Sequence, residues 1–86
     1  MSIDTLRSRV DKLDREILAL LEQRAGLVRS IYRLKCEARE AVRVPERENR
    51  VLANVREQSA GILPDAELTE IFRTIIDACV RLQEQD

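Results

Sequence analysis

The sequence predicts an all-α protein with three helices, in the order long, short and medium. Gly and Pro occur only twice each among 86 residues, and aromatic residues make up 2% of the chain. So few turn-forming and sheet-forming residues argue against a β protein. Hydrophobic residues make up 44% and charged residues 36%, a balance typical of amphipathic helices.

The first predicted helix is the longest and runs from about Ile3 to Ala41. Its apolar residues recur at intervals of three and four, as in a heptad seam; they are Ile3, Leu6, Val10, Leu13, Ile17, Leu20, Leu27, Ile31, Leu34 and Ala38. Such a helix spans roughly 57 Å, whereas a globule of this length is roughly 30 Å across. The helix must overhang its own chain, so we expect a second copy to cover the seam in an intertwined homodimer.

The two shorter helices are bounded by Pro and Gly residues. Pro45 fits the first position of the second helix, which ends near Gln58, and the first turn carries acidic residues that the helix dipole favours. Gly61 breaks the chain, and Pro64 and Asp65 start the third helix. Its inward residues are expected to be Leu68, Ile71, Phe72, Ile75, Ile76, Cys79, Val80 and Leu82. We expect one domain, residues 1–86.

Composition narrows the classes of function. A formal net charge of -1 gives no case for a nucleic acid or membrane partner. The chain has no His, which removes the usual general base and most zinc sites, and Cys36 and Cys79 are too few for an all-cysteine metal site. We expect no cofactor or metal. Without a long apolar run or a signal peptide, we expect a cytoplasmic protein with free thiols.

Two cations interrupt the apolar stripe of the first helix. Arg24 occupies the seam position between Leu20 and Leu27, where an unpaired charge is costly. Lys35 follows 11 residues later, so both side chains project from one stripe about 16 Å apart. No acidic residue lies between them on that stripe, which favours an anionic ligand within the bundle. Alternatively, Arg24 sets the dimer register or reaches out to water.

Four further polar residues are candidates for the same site. Arg7 precedes Arg24 by 17 residues, about 25 Å along the helix, so in an antiparallel dimer it would serve the other copy's site. Gln83 lies on the inward stripe of the third helix as a neutral donor, or else faces water at a helix end. Arg47 and Glu48 are adjacent at the start of the second helix, where capping and the helix dipole also account for them.

Together these residues resemble the helical chorismate mutase family from Leu6 to Gln83. Each motif is weak alone, but their order and spacing are specific; they are Leu6-Arg7 with Leu13-Asp14, Leu20–Arg24, Lys35, Pro45–Glu48, and Phe72-Arg73 through Ile76 to Gln83. The segments Val44–Glu48 and Ile76–Cys79 look most like the N-terminal mutase domain of bifunctional mutase–prephenate dehydratases. We expect these 86 residues to correspond to the mutase domain alone.

The resemblance implies a chorismate mutase, an enzyme of aromatic amino acid biosynthesis that rearranges chorismate to prephenate. It implies that Arg24 and the partner subunit's Arg7 bind the two substrate carboxylates. Arg47 would add positive charge and backbone support near the same end. Glu48 would accept a hydrogen bond from the ring hydroxyl.

The resemblance also implies which residues act on the breaking bond and which form the wall. Lys35 and Gln83 would donate to the ether oxygen, and Ile76 would form part of an apolar wall. Many relatives carry Asp where this chain has Val44, and Ser or Ala where it has Cys79. We therefore expect Val44 and Cys79 to line the site without a catalytic role.

This reaction suits the residues present. A concerted rearrangement needs no nucleophile, metal or proton shuttle; the protein has only to orient the substrate and stabilise charge on the ether oxygen. Two alternatives stay open. One is isochorismate-pyruvate lyase on the same fold. The other is a non-catalytic dimerisation or regulatory module, which would tolerate Leu at Arg24, Lys35 and Gln83.

Overall fold

The computed structural model describes residues 1–85 and consists of three α-helices. They are α1 (Ile3–Ala38), α2 (Pro45–Gln58) and α3 (Asp65–Gln85). No β-strand occurs within this described range. The predicted all-α class and the long, short, medium order are confirmed. The predicted domain of residues 1–86 includes Asp86, which lies outside the described residues.

The end of α1 is set by a backbone cap that the sequence did not reveal. Arg39 adopts a left-handed conformation with φ of 59°. The N–H of Glu40 then donates to the carbonyl of Lys35 at 2.8 Å, which satisfies one of the carbonyls left free at a helix end. α1 therefore ends at Ala38, and the predicted end at Ala41 is wrong by three residues.

The predicted bounds of α2 and the predicted start of α3 are confirmed. Pro45 is the first residue of α2, where its missing N–H leaves no hydrogen bond unmade. Gly61 has φ of 93°, a conformation that favours glycine, and it lies in the connection between the two helices. α3 then begins at Asp65, directly after Pro64.

α3 is the common packing partner of the other two helices. It contacts both α1 and α2, whereas within residues 1–85 α1 and α2 do not pack on each other. The main core cluster lies between α2 and α3 and contains Leu52, Ile76 and Val80, with Val51 and Phe72 packed against it. The space between α1 and α2, with α3 beneath it, is therefore open.

The long helix leaves its apolar seam uncovered. α1 contains no buried residue, and its exposed large apolar side chains retain between 44% and 68% of their accessible surface. The radius of gyration is 15.8 Å and the longest dimension is 55 Å, compared with a radius of about 12 Å for a compact chain of this length. The predicted overhang of α1 is confirmed. No helix of the described chain is both long enough and apolar enough to cross a membrane.

Candidate active site

A cleft of about 290 Å³ opens between α1 and α2, with α3 as its floor. Its volume is near the lower end of the range for small-molecule sites, about 300–1,000 Å³. All three helices and the α1–α2 connection contribute to its lining, which consists of Arg24, Val28, Ile31, Lys35, Val42, Val44, Arg47, Glu48, Val51, Ile76, Cys79, Val80 and Gln83.

The structure places eight of the nine residues proposed from the sequence around this one cleft; they are Arg24, Lys35, Val44, Arg47, Glu48, Ile76, Cys79 and Gln83. The ninth, Arg7, is exposed on α1 and does not line the cleft. It lies about 25 Å from Arg24 along the helix axis. The cleft thus gathers side chains from four separate segments, and their chemical roles stay predictions.

The two cations that α1 contributes to the cleft have neutral partners. Arg24 is partly buried, and its Nη1 donates to Cys79 Sγ at 3.3 Å, a weak acceptor. Lys35 Nζ donates to the backbone carbonyl of Val42 at 3.2 Å. Among the ion pairs of the described residues, none involves Arg24 or Lys35. Their charges are therefore available to an anion that enters the cleft.

Apolar side chains fill the wall between these cations. Val28 and Ile31 line the cleft at four and seven residues from Arg24, which places them on the same helix stripe. These two residues were not predicted as part of the site, although their spacing from Arg24 along the helix could have identified them. Val51 and Val80 also line the cleft, but only the packing of α2 on α3 brings them there.

Gln83 is buried, with 5% of its surface exposed. The interpretation that it faces water is therefore wrong. Its Oε1 finds no hydrogen-bond partner among the described residues, which costs about 1–3 kcal/mol for a buried polar group. Rotation of the amide exchanges its oxygen and its NH2 group, so this position can offer either an acceptor or a donor to a ligand.

Glu48 is ionised and tightly bonded. Its side chain is 12% exposed. Arg43 Nε donates to Glu48 Oε2 at 3.1 Å and Arg43 Nη2 to Oε1 at 3.2 Å, while Arg73 Nη1 donates to Oε1 at 2.6 Å. These bonds, first those from Arg43, lower the pKa of Glu48 against the opposing effect of burial. The carboxylate charge is therefore retained near neutral pH.

Arg43 and Arg73 were missed by the sequence analysis as partners of a site residue. Arg43 precedes α2 and pairs with Asp77 of α3 as well as with Glu48; the two carboxylates raise the pKa of Arg43 above its ordinary value. Arg73 meets Glu48 only because α3 packs on α2. Arg43 is close in sequence to Glu48 but 34 residues from Asp77, so only the fold shows that it joins both carboxylates.

The cleft can bind and orient a small anion. Arg24, Lys35 and Arg47 supply positive charge, and Gln83 supplies a neutral amide within an apolar wall. Glu48 supplies one ionised acceptor. No group of His, Cys, Asp or Glu within residues 1–85 has the spacing to hold a metal ion. Such a site favours chemistry by orientation and electrostatic stabilisation over covalent catalysis.

Comparison with known proteins gives relatives along almost the whole chain. The family model for chorismate mutase type II matches residues 6–84. The bifunctional chorismate mutase/prephenate dehydratase of Aquifex aeolicus (strain VF5) is 37% identical over 84 residues, which cover 93% of this chain and 23% of that protein. The protein of the same name from Stutzerimonas stutzeri is 37% identical over 87 residues, covering 95% and 24%. The chain thus spans about a quarter of the length of these relatives.

Two solved structures share the fold along nearly their entire length. Chorismate mutase (Form II) from Thermus thermophilus superposes with a TM-score of 0.95 at 37% identity, covering 98% of this chain and 96% of that one. Form I from the same organism gives a TM-score of 0.87 at 38% identity, covering 90% and 96%. On the family match and the sequence identity together, the chain belongs to the type II chorismate mutase family.

Proposed function

We propose that the chain catalyses the intramolecular Claisen rearrangement of chorismate to prephenate, in a site shared between two copies of the chain. The observation that carries the proposal is that three polar side chains of the cleft lack a charged or complete set of partners. Arg24 and Lys35 contact only neutral acceptors, and the buried amide of Gln83 has an unpaired oxygen. A dianionic substrate supplies anionic partners for the two cations, and its ether oxygen accepts from the NH2 group of Gln83 once the amide has turned.

Arg24 and Lys35 act at opposite ends of the apolar wall. The planar guanidinium of Arg24 binds a substrate carboxylate through two parallel hydrogen bonds. Lys35 and Gln83 donate to the ether oxygen, where negative charge grows as the carbon–oxygen bond breaks. Gln83 does so after its amide turns. Fixed donors of this kind stabilise the transition state more than the ground state, which raises the rate.

Glu48 and its neighbours orient the ring. The ionised Glu48 accepts a hydrogen bond from the ring hydroxyl, and Arg47 adds positive charge nearby. Ile76 and Cys79 confine the folded substrate, so that its two reacting carbons stay close together. The side chain of Val44 has no polar group. Glu48 therefore provides the side-chain acceptor for the ring hydroxyl.

The second copy of the chain covers the α1 seam and contributes Arg7. The chain exposes 6990 Å², whereas a compact monomer of this mass exposes roughly 5,200 Å². The excess is of the size that each partner buries in an obligate dimer, about 1,000–2,500 Å². In an antiparallel arrangement, the partner subunit's Arg7 reaches the cleft and binds the second substrate carboxylate.

The reaction is proposed to take place in the cytoplasm. Cys36 and Cys79 are both free thiols, and Cys36 is exposed. A reducing compartment keeps exposed thiols in that state.

The test is the loss of chorismate absorbance on addition of the purified chain, with prephenate identified as the product. Lys35→Ala is expected to lower kcat/KM at least about 100-fold, because a donor to the developing charge contributes about 10²–10³ in rate. Lys12→Ala is the matched control, since Lys12 is exposed on the same helix and does not line the cleft. A folded wild-type dimer without turnover would contradict the proposal.

A further inference from the structure

We propose that Arg73, assisted by Arg43, is a positioning residue that keeps the Glu48 carboxylate away from the substrate-binding cations of the cleft. The inference rests on the proposed function and deepens it. It assigns a role to two arginines that lie outside the cleft lining and that the proposed mechanism does not use.

Glu48 is a potential competitor of the substrate. It is the one acidic side chain among the described residues that line the cleft, where it shares the wall with Arg24, Lys35 and Arg47. Chorismate offers the same chemical group, a carboxylate, to those cations. At 12% exposure, Glu48 is poorly screened by water, so an unrestrained carboxylate would pair with a nearby cation.

Arg73 and Arg43 occupy both oxygens of Glu48 from outside the cleft. Arg73 Nη1 lies 2.6 Å from Oε1, the shortest of the three contacts to Glu48, and Arg43 forms a bidentate pair across Oε1 and Oε2. Arg43 is itself fixed by Asp77 of α3. Restraint from α3 and from the α1–α2 connection leaves Glu48 little freedom to turn toward Lys35 or Arg47.

Within residues 1–85, two of the cleft cations bond to neutral groups and not to Glu48. Arg24 donates to the sulfur of Cys79 and Lys35 to the carbonyl of Val42, and neither pairs with Glu48 among the described ion pairs. Positive charge in the cleft is thus left uncompensated by the one acid beside it. The outer arginines account for that separation, because they satisfy Glu48 more closely than the cleft cations do.

The test is a double-mutant cycle of Arg73→Gln and Glu48→Gln, followed by steady-state kinetics with chorismate. Arg73→Gln is expected to raise KM about tenfold, the equivalent of one charge-assisted hydrogen bond diverted to a competitor, with kcat changed less than about threefold. In the Glu48→Gln background the same change is expected to alter KM less than about twofold, because the competing charge is gone.

Two variants separate positioning from a general effect of charge or folding. Arg73→Lys keeps the cation and is expected to recover most of the affinity for chorismate. Arg81→Gln removes an exposed arginine of the same helix and is expected to leave KM unchanged. An equal rise in KM on Arg73→Gln in both Glu48 backgrounds would overturn the inference, since a purely structural role acts without Glu48.

A second readout does not depend on turnover. Carbon NMR of the Glu48 carboxyl group is expected to show a higher pKa in Arg73→Gln than in the wild type, because a hydrogen bond to the charged form is lost. An unchanged titration would overturn the inference even in an active enzyme. If the wild type fails to convert chorismate, the proposed function fails, while a shifted titration still supports the restraint of Glu48 by Arg73.

Discussion

Glu48 and Gln83 differ in how their polar groups are satisfied. Glu48 has a hydrogen bond to each carboxylate oxygen from Arg43 and a further one from Arg73. Gln83, more deeply buried, leaves Oε1 without a partner. A carboxylate bonded to two arginines keeps its charge, and Oε2, with one bond, can still accept another. An unpaired neutral amide keeps its capacity to bond a ligand. In the proposed mechanism, Glu48 orients the ring and the NH2 group of Gln83 donates to the ether oxygen.

At the residue scale, we predict that kcat/KM is nearly flat from about pH 5 to about pH 8. Gln83 needs no proton to donate, and the lowered pKa of Glu48 keeps that carboxylate ionised across the range. The stability that Glu48 contributes is likewise present above its unfolded pKa of about 4.3 and is lost as the pH falls through the lower folded value.

The measurement is a kcat/KM profile from about pH 3 to about pH 8, with urea unfolding at each pH. Activity loss is expected only below about pH 5, as Glu48 takes up a proton. A steep fall between about pH 5 and about pH 8 would show that a group titrating near neutrality is required, contrary to the roles given to Gln83 and Glu48.

Arg24 and Lys35 could be assigned to one cleft from the sequence because a single helix carries both. Their spacing fixes their shared stripe before any tertiary contact forms. Gln83 was placed on an inward stripe by the same argument, but only the structure shows that it is buried. Arg73 could not be assigned, because its contact with Glu48 depends on how α2 meets α3. Arg43 lies only five residues before Glu48, but the sequence does not show that its side chain turns back to that carboxylate.

At the element scale, α3 holds the protomer together. It packs on both α1 and α2, and the core cluster of Leu52, Ile76 and Val80 joins it to α2. The same helix carries Cys79 and Gln83 into the cleft. Packing on α3 therefore fixes both the stability of the protomer and the geometry of its site.

We predict that Leu52→Ala lowers the free energy of unfolding by about 2–5 kcal/mol, as expected for a large-to-small change in a core. Leu52 is 7% exposed and packs in the cluster that joins α2 to α3. Ile62→Ala removes the same number of carbon atoms at a position that is 91% exposed, and it is expected to change stability by less than about 0.5 kcal/mol.

Urea unfolding of both variants at equal chain concentration checks this prediction, because the stability of a dimer depends on concentration. Comparable losses in the two variants would show that the α2–α3 cluster is not the centre of the protomer's stability.

The helices themselves could be predicted more closely than their ends. The apolar spacing, Pro45 and Gly61 gave the order of the elements and the start of α2, because these signals are local. The end of α1 was misplaced because Arg39 is not a residue type that usually adopts a left-handed cap. There the N–H of Glu40 donates to the carbonyl of Lys35, and no residue spacing in the sequence predicts that bond.

At the scale of the whole molecule, the single chain is incomplete in two respects. The seam of α1 is exposed along its length, and Arg7 lies about 25 Å along the helix from Arg24. The proposed antiparallel dimer would resolve both, because a second copy of the chain would bury the seam and bring its own Arg7 to the cleft. Helix length and apolar spacing alone were enough to predict the overhang.

The most direct measurement combines two inactive variants, Arg7→Ala and Lys35→Ala, by unfolding and refolding them together. If each site takes Arg7 from the partner and Lys35 from its own chain, each mixed dimer contains one intact site. About half of the dimers are mixed at random, so chorismate turnover is expected to return to about a quarter of the wild-type rate. No recovery, with mixed dimers confirmed by native mass spectrometry, would contradict a site shared between two subunits.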